Sequence, residues 1–144
     1  MFIGEYTHTI DGKGRLAIPY RFRKYLKQGA VVAKGLVDQC LFLYPKEEWE
    51  KLSAKLAVLP ISDPKARAFS RLIFSGASEV SFDRQGRILL PSYLREYADL
   101  KDQGVIVGVH SRVEIWNQEK WERYKKESEN AQEGLTDHMQ DLGV

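Results

Sequence analysis

The chain repeats itself. At an offset of 72 residues Phe2-Ile3-Gly4 matches Phe74-Ser75-Gly76, and Asp11-Gly12-Lys13-Gly14-Arg15-Leu16-Ala17-Ile18-Pro19 matches Asp83-Arg84-Gln85-Gly86-Arg87-Ile88-Leu89-Leu90-Pro91. Arg23, Tyr25 and Trp49 recur as Arg95, Tyr97 and Trp121. Eight of the 24 pairs from Phe2 to Tyr25 are identical, several times the chance level, so the chain is two copies of one unit. The division expected from this is a first repeat at 1–56, a linker helix at 57–73, a second repeat at 74–126 and an acidic tail at 127–144 that should fray.

Each copy carries the same succession of local signals. Thr7 to Ile10 alternates polar and apolar residues, Asp11 to Gly14 is a turn, and Arg15 to Ile18 resumes strand chemistry. Pro19 and Pro91 stand where a helix can start. Phe22, Tyr25 and Leu26, like Leu94, Tyr97 and Ala98, follow at helical spacing. Two β-branched apolar runs come next in each copy, and an amphipathic helix containing Trp49 or Trp121 closes it. Asp63-Pro64 reads as an N-cap and first helical residue for the linker. The fold class expected is therefore α+β and β-rich, with two β-turn-β-α-β-β-α units. One such unit buries little core, so the two should cover each other as a single pseudo-two-fold barrel.

Composition removes several classes of function. No run of 18 apolar residues is present and the N-terminus lacks a basic region and apolar core, so neither a membrane span nor a signal peptide is expected. The single Cys40 points to a reducing cytoplasm, and it precedes an apolar strand as a core residue would. His8, His110 and His138 lack ligand spacing, and no nucleotide-binding or nucleophile motif occurs. No catalytic residue, metal, cofactor or small-molecule substrate is expected. Charge is more informative. The net charge is +2, but residues 127–144 carry five acids and no Lys or Arg, leaving the body at +7. A basic body favours a polyanionic partner.

The turns concentrate that charge. Lys13, Arg15, Arg21, Arg23 and Lys24 surround the first, and Arg84, Arg87 and Arg95 the second. Alternation puts Leu16, Ile18, Ile88 and Leu90 on an inner face and Arg15 and Arg87 on an outer one. Asp11 and Asp83 can cap turn amides, while Gly14 and Gly86 suit positive φ. For Arg15 and Arg87 two roles stand open: an ion pair that stiffens the hairpin, or a two-pronged grip on phosphate or guanine. Lys13 and Arg84 at the turn tips are further candidates. So are Arg21, Arg23 and Arg95, expected on the exposed side of a short helix.

Phe2-x-Gly4 with Asp11-x-x-x-Arg15, repeated as Phe74-x-Gly76 with Asp83-x-x-x-Arg87, resembles the MraZ family of bacterial transcription regulators. Gly35 to Leu41, Ala66 to Phe69 and Phe74 to Ala77 resemble it too, and the likeness runs from Met1 to about Tyr124. The resemblance implies AbrB-like swapped-hairpin units within one chain and a ring-shaped homo-oligomer. It also implies binding of double-stranded DNA at promoter direct repeats, in the nucleoid. Repression of a division and cell-wall gene cluster, its own gene included, would follow. On that likeness Arg15 and Arg87 are the DNA-contacting residues. The rival reading is an oligomeric protein–protein interaction module or antitoxin-like partner, since the hairpin fold also has such roles.

Overall fold

Two short alternating segments joined by a four-residue turn open each half of the molecule. In the computed structural model, which describes residues 1–144, the first half forms β1 (Glu5–Thr9), β2 (Arg15–Ala17), α1 (Tyr20–Arg23), β3 (Ala30–Lys34), β4 (Leu41–Pro45) and α2 (Lys46–Ala57). α3 (Pro64–Gly76) leads into β5 (Ser78–Val80), β6 (Arg87–Leu89), α4 (Ser92–Tyr97), β7 (Gln103–Val109), β8 (Arg112–Trp116) and α5 (Gln118–Asn130). α6 (Gln132–Asp141) ends the chain. The molecule is α+β and β-rich, and the element order of the first half recurs in the second. No helix is long and apolar enough to cross a membrane.

The halves share their strands. Six antiparallel strands run in the order β1-β7-β8-β4-β3-β5, and β2 pairs with β6 in a separate ribbon. Thus β1 of the first half lies on β7 of the second, and β5 of the second lies on β3 of the first. Exchanging every strand for its counterpart leaves the order unchanged. The register obeys the same exchange: Leu16 faces Ile88 in the ribbon, and Phe42 faces Glu114 where β4 meets β8. These two pairs mark a pseudo-two-fold.

The large sheet does not close into the expected barrel. The large sheet stays open, with β1 and β5 at its ends. The reason is local. Ile10 makes one isolated bridge to Leu16, the turn then redirects the chain, and β1 and β2 pair in different sheets. The ribbon covers one face of the large sheet. Its inward side chains Leu16 and Ile88 are fully buried, in one cluster with Phe22, Leu43, Leu94 and Ile106. Burial of a residue of this size contributes ~1.5–3 kcal/mol. Val105, Val107, Cys40 and Trp116 form a smaller cluster, against which Trp121 of α5 packs.

Pro19, Pro45 and Pro91 sit one residue earlier than a first helical position, as N-caps of α1, α2 and α4. At α3 the Asp63 carboxylate accepts hydrogen bonds from the Lys65 and Ala66 amides, as its position predicts. That helix outruns the expected linker. Phe74-Ser75-Gly76 is its last turn, whereas Phe2 is buried in a bridge to His110 and Gly4 has φ +100°. Identity of sequence there does not give identity of structure, because no proline or glycine stops α3 before Gly76. The tail is helical, although α6 buries no residue.

Leu16→Ala should lower unfolding free energy by about 2–5 kcal/mol in urea titration, through lost burial and a cavity. Leu89→Ala, on the outward side of the same ribbon, should change it by less than about 0.5 kcal/mol.

Candidate nucleic-acid interface

Each turn is organised around one carboxylate. Asp11 Oδ1 accepts hydrogen bonds from the Lys13 amide (3.0 Å) and the Arg15 amide (2.9 Å), while Arg15 Nε donates to Oδ2 (2.6 Å). Asp83 repeats the pattern with the Gln85 amide (2.9 Å), the Arg87 amide (3.0 Å) and Arg87 Nε (2.8 Å). The Gly14 and Gly86 amides close the turns onto the Asp11 and Asp83 carbonyls. Both glycines have positive φ, 88° and 76°, a conformation that strains any residue with a Cβ.

The ribbon sets the two turns in relation to each other. Antiparallel pairing of Arg15 with Leu89 and Ala17 with Arg87 puts the turns at its opposite ends. Leu90 donates its amide to the Gly14 carbonyl and Ile18 donates to that of Gly86, so each strand runs out onto the other half's turn. Arg87 Nη1 also reaches Asp11 Oδ2 at 3.4 Å. Arg15 and Arg87 lie outward, their side chains 35% and 25% exposed. Both open roles thus coexist in the geometry: the Asp–Arg pair is made, yet Arg15 makes it through Nε alone, leaving its Nη edge without a protein partner.

The remaining candidates divide. Lys13, Arg84 and Arg21 are exposed around the turns. Arg23 and Arg95 do not occupy the solvated side of their helices as expected. Both are half-buried, because each guanidinium lies over a glycine of the opposite half's turn. Arg95 lies against Gly14, where an added Cβ would come 2.6 Å from its Nε, and Arg23 lies against Gly86 in the same way.

The family model described as "MraZ protein, putative antitoxin-like" matches this chain twice, over residues 1–72 and 73–142. The chain belongs to the MraZ family. Similar curated proteins include the "Transcriptional regulator MraZ" of Desulfitobacterium hafniense, 54% identical over 144 residues and covering 100% of both chains. The protein of the same name in Moorella thermoacetica is 53% identical over 100% of both. That of Desulforamulus reducens is 52% identical over 99% of each. The two MraZ matches divide the chain between the two turns, so each match contains one Asp-x-x-x-Arg loop.

One buried charged group in this MraZ chain was missed from sequence. Glu114 is only 8% exposed, and its carboxylate accepts from Arg112 Nη2 (2.7 Å) and Trp116 Nε1 (3.0 Å). The signal was available, since Arg112, Glu114 and Trp116 alternate onto one sheet face. Burial pushes the neighbouring Cys40 thiol up, as suits a core residue.

Hydrogen bonding to the Arg15 amide, with the Arg15 side chain and Lys13 amide adding to it, holds the Asp11 carboxyl down at about 2 from its ordinary 3.8. The Arg87 amide lowers Asp83 likewise. A carboxyl depressed in the folded state stabilises the fold above its unfolded value and loses that contribution as pH falls through the folded one. Thermal melts of the wild type should therefore drop between about pH 4 and pH 2. Asp11→Asn should melt lower at neutral pH and show a shallower acid limb.

Proposed function

We propose that this protein is a sequence-specific, double-stranded DNA-binding transcription regulator in the cytoplasm and nucleoid. It binds promoter direct repeats as a ring-shaped homo-oligomer. On this reading it represses the division and cell-wall gene cluster that includes its own gene. The full-length relatives named transcriptional regulators support the class of function.

The observation that carries the reading to particular residues is the Arg15 guanidinium. Asp11 holds it by Nε, and both Nη groups are left without a protein partner. That is the donor arrangement that grips guanine O6 and N7 or a phosphate. Lys13 on the same turn, Arg84 on the other turn and Arg21 on α1 supply exposed positive charge, suited to phosphate oxygens, which position a protein on the duplex. Arg87 is held by both Asp83 and Asp11, so less of its donor edge is free. The first loop accordingly contributes more to affinity than the second. Repeated subunits on repeated sites would multiply a weak single contact.

The alternative, an oligomeric or antitoxin-like protein partner, draws on the family description. Fluorescence anisotropy separates the two. A labelled fragment from upstream of the gene should bind more tightly than a scrambled one, with log K falling by ~0.9 per phosphate contacted as log salt rises. Arg15→Ala should cost ~1–3 kcal/mol on the upstream fragment, Arg87→Ala less, and the double variant should lose the preference. Equal, weak binding to both fragments, unchanged in the double variant, would turn the search to protein partners.

A further inference from the structure

Of the six arginines around the two loops, the four that are half-buried fall into two kinds. Arg15 and Arg87 are neutralised by the loop aspartates, whereas Arg23 and Arg95 make no ion pair with any carboxylate. An unpaired guanidinium beside a DNA-facing loop would ordinarily be taken for a phosphate contact. Their placement argues otherwise. Arg95, on α4 of the second half, lies flat against Gly14 of the first half's loop, with Nε and Cζ 2.6 and 2.7 Å from where a Cβ would stand. Its Nε donates to the Leu90 carbonyl (3.0 Å), and Leu90 in turn donates its amide to the Gly14 carbonyl (2.9 Å). Arg95, Leu90 and Gly14 thus form one chain of contacts from a helix of one half to the loop of the other.

The counterpart crosses the opposite way. Arg23, on α1 of the first half, occupies the missing side-chain space of Gly86 in the second half's loop. The Gly86 carbonyl takes the Ile18 amide (3.1 Å). Here the chain is incomplete: Arg23 Nε is buried without a hydrogen-bond partner, and its guanidinium stacks 5.2 Å from the Tyr20 ring centroid instead.

We infer that Arg23 and Arg95 are positioning residues, each buttressing the DNA-reading loop of the opposite half, and that neither contacts a phosphate. The role in DNA reading rests on the function proposed above; the buttress itself does not. Gly14 and Gly86 then have two tasks, a positive φ and an open side for the guanidinium. Loop 1, with its complete chain, is held the more firmly of the two. A lysine cannot replace either arginine, because an ammonium on a flexible stem lacks the planar face that covers the glycine.

Two readouts on the full chain test this, with Arg95→Lys, Arg95→Gln, Arg23→Lys and Arg23→Gln checked for folding by circular dichroism. By amide hydrogen exchange, both Arg95 variants should speed exchange at Gly14 and Arg15 by about five- to tenfold, the loss of roughly one hydrogen bond. Gly86 and Arg87 should stay unchanged, and the Arg23 variants should show the reverse. On the upstream DNA fragment, Lys and Gln variants should weaken binding alike, with the salt slope preserved. The Arg95 loss should vanish in an Arg15→Ala background and persist in Arg87→Ala. The inference falls if the Lys variants keep wild-type affinity while the Gln variants lower the salt slope by about one phosphate. It also falls if exchange in both loops ignores the variants. Should the wild type fail to bind the fragment, the DNA reading fails by itself, and the exchange pattern still decides whether the buttress exists.

Discussion

The three-residue pairing of β2 with β6 is the contact on which the rest of the molecule depends. Its inner residues Leu16 and Ile88 stand on the pseudo-two-fold and join the core contributions of both halves. Its outer residues carry Arg15 and Arg87, and its ends deliver the amides of Ile18 and Leu90 to the facing loops. A ribbon so short is weak in isolation. It is held because one side is buried and because each end is anchored in a turn belonging to the other half. Core packing and loop geometry are therefore a single construction.

The two halves are alike in plan and unequal in detail. Asp11 accepts from both arginines, while Asp83 accepts only from its own. Where the first half places Phe42 at the centre of the large sheet, the second places Glu114, and Arg112 both pairs with that carboxylate and lies 4.5 Å from the Phe42 ring centroid. Such differences give a pseudo-symmetric chain two distinguishable ends, which identical subunits related by a true two-fold would not have.

Much of this was legible in the sequence because local chemistry determined it. Alternation assigned the inner and outer faces of the ribbon, Asp and Gly marked both turns, and Asp63-Pro64 marked the start of α3. Choice of neighbour was not legible. A period of two says which face a side chain occupies and nothing about which strand lies alongside, so the crossing of β1 to β7 and the open sheet could not be read. The buttressing arginines were hidden for a related reason. Helical period does not say which distant loop lies against a helix, and Arg23 meets a glycine far away in sequence. Phe74-Ser75-Gly76 failed differently: the same letters as Phe2-x-Gly4 ended a helix, because capping and continuity of α3 outweigh two matching residues.

The crossing of strands also bears on synthesis. Thr7 pairs with Val105, so the first strand must wait for nearly a hundred residues to be made before its partner exists. At ~5–20 residues per second that is about 5–20 s. For much of this interval β3 and β4 have only each other, without β5, β8 or the completed ribbon that covers them. Folding must then close large loops at once. A nascent chain of this design is exposed to aggregation, or to capture by a neighbouring nascent copy whose strands could complete the same pairings.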